Sequence, residues 1–169
     1  LLMELICNEL NDNNIQLERV FSGKIDGFRA SMFHLKCDNK GPTLSIIKNE
    51  FNVIFGGYTN IPWDSKYTKG TSNVNDDNAF IFGIQPKLFI SNIIPSESNW
   101  AVYHYNGFAC LFGREGDIWV DVGGSKSSEH DSSSHLLTYD CQYPLVKDYQ
   151  KREQTVTFKT VALEVFSLK

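Results

Sequence analysis

Within residues 26–63 the hydrophobic period changes from that of a helix to that of a strand, with no room for a linker between them. The run reads DGFRASMFHLKCDNKGPTLSIIKNEFNVIFGGYTNIPW. Phe28, Met32 and Leu35 fall at i, i+4 and i+7, the apolar stripe of a helix of about three turns. Asp38-Asn39-Lys40-Gly41-Pro42 then stops it: Gly41 takes a left-handed conformation without strain, and Pro42 cannot continue a helix. From Thr43 the period is two, with Leu44 and Ile46 on one face and Thr43 and Ser45 on the other, as on a half-buried strand. Lys48 to Asn52 is a polar turn broken by Phe51. Val53 to Tyr58 is the returning strand, and Ile61-Pro62-Trp63 ends the unit.

The rest of the chain continues in short strands. Leu1 to Leu10 has the spacing of an amphipathic helix, ended by Asn11-Asp12-Asn13-Asn14. Residues 1–14 are therefore expected to be a helical segment, packed on the domain or ending an upstream region, and residues 15–169 a single domain. Leu17 to Phe21 is a short apolar stretch, and Lys66 to Asn78 reads as a long exposed loop. Ala79 to Ile84 alternates, with Phe80, Phe82 and Ile84 on one face. Lys87 to Ile94, bracketed by Pro86 and Pro95, reads as an edge strand. Trp100 to Tyr105, Phe108 to Phe112 and Ile118 to Val122 read as three more strands, the first two joined at Asn106-Gly107. Gly123 to Ser134 has too little apolar surface to offset its ordering entropy and is expected to be a mobile loop. Tyr139 to Val146 is a further extended piece, and Thr155 to Leu168 closes the chain as two strands. Short strands, small helices and no βαβ rhythm predict a mainly β fold, a two-layer antiparallel β-sandwich. The aromatic content, 12 Phe, 7 Tyr and 3 Trp, suits pleated surfaces.

Charge and cysteine usage narrow the function classes. A formal charge of -4, with the 16 basic residues scattered, argues against nucleic acid; Lys147 to Arg152 is the one local basic enrichment and reads as a solvated loop. No apolar run approaches the roughly 20 residues of a membrane span. The first residues lack the basic region and cleavage site of a secretory signal, and with no initiator Met the chain is expected to be part of a longer protein. Cys7, Cys37, Cys110 and Cys141 are irregularly spaced; two disulfides are permitted, but free thiols in a reducing, cytoplasmic setting are the expected state.

No catalytic constellation emerges. There is no G-x-S-x-G elbow, H-E-x-x-H pair or Walker loop, and no cofactor is expected. Gly56-Gly57 inside a strand points to a bulge or close packing. His34 and Cys37 are one potential ligand pair without a second, so packing or capping is the expected role; His130 and His135 lie in the Ser-rich loop with Glu129 and Asp131. Cys110, on a strand, is expected to be buried and inert. Cys37, at a polar break beside Lys36 and Lys40, is the better candidate for a thiol of lowered pKa. Glu164, between Leu163 and Val165, is a carboxylate whose burial would be costly unless paired; a tie to a backbone amide or to a basic residue of the 26–63 unit is expected, with contact to a partner or a catalytic role as the alternative.

Asp26-Gly27-Phe28, Phe33-His34, Lys36-Cys37-Asp38-Asn39-Lys40-Gly41-Pro42-Thr43-Leu44, Ile47-Lys48, Phe55-Gly56-Gly57-Tyr58 and Pro62-Trp63 together resemble the TLDc domain. The KCDNKGPTL form resembles that of single-celled eukaryotes. Asn78-Ala79-Phe80-Ile81-Phe82 continues the likeness, and Leu163-Glu164-Val165-Phe166 resembles the family's closing L-E-V-W strand, so that residues 17 to 168 are covered. Where the family commonly has Ser after Asp-Gly-Phe, a good N-cap, Arg29 stands here with Ser31 two residues on; this leaves the helix start open, not its existence. The resemblance implies a two-sheet sandwich flanked by small helices, working as a monomeric, non-enzymatic interaction module. It further implies protection against oxidative stress and binding to protein partners such as stalk subunits of the vacuolar-type proton pump. Two alternatives follow from the residues: a thiol enzyme handling peroxide through Cys37, and a carbohydrate-binding sandwich using Trp63 or Trp100.

Overall fold

The structure, a computed structural model, describes residues 1–66, 72–113, 117–120, 131–134 and 156–169. At its centre is the hairpin of β2 (Thr43–Asn49) and β3 (Ile54–Thr59), paired from Thr43↔Thr59 to Lys48↔Ile54. Asn49 closes the turn: its Oδ1 accepts from the Phe51 and Val53 amides at 3.0 and 2.9 Å, while Asn52 takes a positive φ of 61°. These contacts set the register, so every side chain beyond the turn has its face assigned.

The first sheet grows outward from this hairpin. β5 (Phe80–Gln85) pairs with β3, and β6 (Phe89–Asn92) forms the expected edge. On the other side β11 (Val156–Leu168) pairs with β2, and β1 (Leu17–Ser22) pairs with the end of β11. The second sheet runs β4 (Ser72–Val74), β7 (Val102–His104), β8 (Leu111–Phe112), β9 (Ile118–Trp119) and β10 (Asp131–Ser134), and then reaches the start of β11. All these pairings are antiparallel. The expected β-sandwich is present, and β11 belongs to both of its layers.

Several local expectations are corrected. Residues 156–168 form one strand rather than two, with a register shift between Thr160 and Ala162 where it passes from one sheet to the other. Asp131–Ser134, placed by composition in a mobile loop, pairs with β11 and β9; backbone pairing asks little of side-chain apolarity. Ser72–Val74 likewise forms a strand inside the expected 66–78 loop. Trp100 ends a 3-10 helix, Pro95–Trp100, instead of starting a strand. The readings of 123–130, Tyr139 to Val146 and Lys147 to Arg152 lie outside the described residues.

Two apolar clusters explain why β2 is buried on both faces and not one. Between the sheets lie Phe33, Ile47, Phe55, Trp63, Ile81, Phe112, Leu163 and Val165. On the outer face of the first sheet, α1 (Leu2–Leu10) sets Ile6 over Leu44, Tyr58, Phe80 and Phe82, with Leu2, Met3 and Leu10 packed around them. α1 ends at Asn11, in the left-handed region with φ 51°. Leu44 and Ile46 thus face α1, whereas Ile47 faces the second sheet. The polar neighbours Thr43 and Ser45 are fully buried as well.

α2 (Gly23–Asp26) and α3 (Ala30–Cys37) close one side of the sandwich. α3 has eight residues, shorter than expected, and begins after Arg29, whose side chain provides no cap. It buries Ala30, Phe33, His34 and Cys37, while Leu35 is 72% exposed. Of the Phe28–Met32–Leu35 stripe, Phe28 and Met32 pack against the core partly buried, and Leu35 does not. The fully inward stripe is Ala30, Phe33, His34 and Cys37, of which only the imidazole is a side chain that hydropathy counting does not weight as core.

Candidate functional site

The motif residues converge where α3 runs into β2. His34, facing inward, has both ring nitrogens against acceptors. Nδ1 lies 2.8 Å from Asp38 Oδ1, and Nε2 lies 3.0 and 2.9 Å from the carbonyl oxygens of Tyr105 and Phe108. The ring is thereby held between three oxygen atoms from two parts of the chain. His34 thus ties the helix to the turn after β7 in the second sheet. Asp38 completes the link with its other oxygen, which accepts from the Ser65 amide at 2.9 Å.

The residues that follow shape the crossing. Asn39, with φ 58°, donates its amide to the Trp63 carbonyl at 3.1 Å, and Lys40 donates its amide to the Cys37 carbonyl at 3.3 Å. Gly41 has φ 79°, the left-handed conformation anticipated for it, four residues past the helix end. The Pro42 carbonyl accepts from Leu168 at 3.0 Å, fastening the crossing to the end of β11. Thr43 Oγ1 accepts from Trp63 Nε1 at 2.9 Å. Trp63 is fully buried, with ring centroids 5.6 Å from Phe33 and 5.7 Å from Phe112, both edge-on. No surface pair of Trp63 and Trp100 exists for a sugar ring to stack on.

The glycines serve close packing. A Cβ on Gly56 would run into the Ser45 carbonyl oxygen, and one on Gly57 would lie 2.7–2.8 Å from Phe112 ring carbons. Gly57 is thus where the second sheet seats its phenylalanine on the first. The register shift of this strand lies at Ile54/Phe55, away from both glycines. Further back, Asp26 accepts from the Ser22 amide at 2.8 Å and pairs with Lys36 at 3.5 Å; Gly27 adopts φ 92°, and the Phe28 ring packs over Gly23.

Burial sets the electrostatics of the thiols. Cys37 is fully buried, and desolvation pushes its thiol far above the ordinary range. Cys110, Asp38 and Asp26 add to the rise, and the opposing pull of Lys40 is weaker than any of these. The lowered pKa expected at this polar break is corrected: the lysines sit outside in water and the sulfur inside. Cys110, buried as expected, is pushed up to about 12 by desolvation, with the nearby Ser45 opposing the rise. His34 and Cys37 share the inward face, yet both imidazole nitrogens are directed at other partners, so neither is turned to the thiol. Burial also lowers the pKa of the nearby His104, against the smaller opposing pull of Asp64 and Asp38. Among the described residues no three His, Cys, Asp or Glu side chains are grouped to hold a metal ion. His130 and His135 lie outside them.

Glu164 lies on the outer face of β11, 39% exposed, with Oε1 3.3 Å from Arg19 Nη1 of β1. Its partner comes from the neighbouring strand, not from the 26–63 unit, and its carboxylate is not desolvated. Asp76 is the carboxylate that the sequence reading missed. It is buried and accepts from Thr59 Oγ1 and the Asn60 amide, both at 2.7 Å, and from the Asn78 amide at 3.1 Å. Nothing in Asn75-Asp76-Asp77-Asn78 distinguishes it from an exposed turn. Beside it, a cavity of about 470 Å³ opens between the end of α1 and the first sheet, lined by Glu9, Leu10, Tyr58, Asn60 and Asp77 among others. Tyr58, at its wall, is pushed up to about 12 by burial and then by Asp76.

A sandwich whose one side is locked by a short helix through an Asp-His tie, a buried tryptophan and a Gly-Gly seat defines a β-rich scaffold domain. The TLDc domain model matches residues 2–169, and the chain belongs to that family. Among curated proteins it is similar to the MTOR-associated protein MEAK7 of Gallus gallus, 27% identical over 114 residues. That alignment covers 66% of this chain and 21% of the relative, so the chain spans about a fifth of that protein's length.

Proposed function

We propose that this TLDc domain works as a docking module and not as an enzyme, presenting surfaces to a protein partner in the cytoplasm. One observation carries the reading: the reactive groups gathered at α3 are all committed to holding the sandwich together. His34 spends both nitrogens on Asp38 and two carbonyls, and Cys37 has no water-facing atom. The pull of Lys40 on that thiol is too weak to overcome burial, which counts against a peroxide-handling cysteine. The burial of Trp63 counts against a carbohydrate platform.

The partner reading draws on the family. A stalk subunit of the vacuolar-type proton pump is the first candidate, with protection against oxidative stress as the physiological outcome. The name of the similar MEAK7 makes an MTOR-containing assembly a second. Affinity capture of the full-length protein from its own cells, followed by mass spectrometry, tests this. Recovery of pump stalk subunits is expected. Recovery of a different complex without them would redirect the assignment, and recovery of no protein would remove the docking reading.

A further inference from the structure

The cavity between the end of α1 and the first sheet is unbalanced in charge. Its volume of about 470 Å³ lies within the roughly 300–1,000 Å³ of small-ligand pockets. Three carboxylate residues, Glu9, Asp12 and Asp77, stand in its lining with the amides Asn60 and Asn92. The cation in the described lining, Lys169, has its ammonium group on Glu18, which is not in the lining. Glu9 Oε1 accepts from Asn92 Nδ2 at 2.8 Å, and Asp12 Oδ1 accepts from the Asn14 amide at 2.8 Å. Neither bond cancels a charge, and Asp77 has no hydrogen bond or ion pair among the described residues.

Tyr58 adds a second, independent observation. It is 4% exposed, and its ring stacks on Phe80 with centroids 4.9 Å apart. Its hydroxyl lies 3.5 Å from Asn60 Oδ1, both residues being in the cavity lining. That separation is well beyond the roughly 2.5–3.0 Å of a formed O–H···O bond, and a buried hydroxyl is costly to leave so weakly bonded. The lining also restricts the ligand. Among the described residues no three His, Cys, Asp or Glu side chains are grouped to hold a metal ion, so the carboxylates suit separate charges rather than one. Leu10, Ile15 and Leu168 supply apolar surface in the same lining. The buried Tyr58 ring offers no platform on which a sugar could stack.

We infer that this cavity binds an aliphatic ammonium ion, either a free polyamine or a lysine side chain of a partner protein. The ammonium groups would meet Glu9, Asp12 and Asp77, and the methylenes would lie on Leu10, Ile15 and Leu168. The Tyr58 hydroxyl oxygen would accept from an ammonium N–H while its own hydrogen stays toward Asn60. The overall charge of -4 adds attraction at long range. The free-polyamine form stands apart from the docking reading above; the lysine form rests on it, and the test separates the two.

The full chain is titrated with spermidine, with a straight-chain diol of the same length as the uncharged match, and with an acetylated Lys-Leu-Lys peptide. Amide shifts and calorimetry read the binding. Spermidine is expected to shift the amides of Asp12, Asn60, Asp77 and Asn92 and to bind more weakly as salt is added, while the diol leaves them unmoved. Affinity should fall at least tenfold in an Asp12→Asn/Asp77→Asn chain and at least threefold in Tyr58→Phe, which keeps the buried ring. Glu4→Gln, on α1 but outside the lining, should change it less than twofold. Peptide binding weaker than that of spermidine assigns the site to a free polyamine; equal or tighter binding assigns it to a partner's lysine. Shifts spread over the whole surface, an equal loss in Glu4→Gln, matching affinity for the diol, or binding of neither amine would overturn the inference. A native complex captured equally by the wild-type and Asp12→Asn/Asp77→Asn chains would leave the docking reading intact and remove the lysine form.

Discussion

His34 is specified by its acceptors more tightly than any other side chain near α3. Replacing it with Leu leaves the Asp38 carboxylate and two carbonyls short of a donor in a low-dielectric setting. We expect His34→Leu to cost about 2–4 kcal/mol in urea unfolding. In a double-mutant cycle with Asp38→Asn, a coupling above about 0.5 kcal/mol is expected, since the two groups share one bond; additive losses would show that the tie is incidental. Cys37 differs in kind, because its burial suppresses chemistry. With native protein at about pH 8, Cys7, which is partly exposed, should take up a thiol probe at least about a hundredfold faster than Cys37 or Cys110. Peptide mass mapping reads the three sites. Rapid labelling of Cys37 alone would contradict the burial described above. From sequence, the polar flanks of Cys37 are visible, but the side of the helix on which the sulfur lies is not, and that side decides its pKa.

At the scale of the element, β11 carries two adjacent residues of opposite consequence. Leu163 is fully buried between the sheets, while Glu164 points outward to Arg19. Leu163→Ala is expected to cost about 2–5 kcal/mol through the cavity left behind, and Glu164→Gln less than about 1 kcal/mol, as for an exposed ion pair. Denaturant midpoints of the two variants decide it, and a larger loss at Glu164 would mean that its role is not the one described. The alternation along Leu163-Glu164-Val165 was legible because period two assigns faces without tertiary knowledge. α3 was not legible in the same way. Its most deeply buried side chains include His34, which periodicity does not mark, because Asp38, Tyr105 and Phe108 provide the bonds that let an imidazole into the core. β10 escaped for a related reason, since a Ser-rich strand is held by its neighbours' backbone.

For the whole molecule, the sandwich was readable from strand count and turns, and the family from the 26–63 run, because both are written locally. The covering of the first sheet by α1 and the burial of Asp76 depend on long-range contacts that leave no local mark. Burial also makes the fold sensitive to alkali. Cys110 and Tyr58 titrate near 12 when folded, against ordinary values of 9.0 and 10.0, and Cys37 is raised further. Raised folded values mean that the unfolded chain loses its protons first. Stability is therefore fully present below about pH 9 and declines from there toward pH 12. Cys110 alone should remove on the order of 2 kcal/mol by about pH 10.5, and Cys110→Ala should flatten that part of the curve. A urea midpoint constant from pH 8 to 11 would contradict this. The central claim, that the fold acts by docking and its buried thiol takes no part, is met most directly by quantitative affinity capture of the full-length protein from its own cells, wild type beside Cys37→Ala. The account predicts the same protein complex in the same amount from both; a complex absent from the wild type, or lost with the thiol while the domain stays folded, would contradict it.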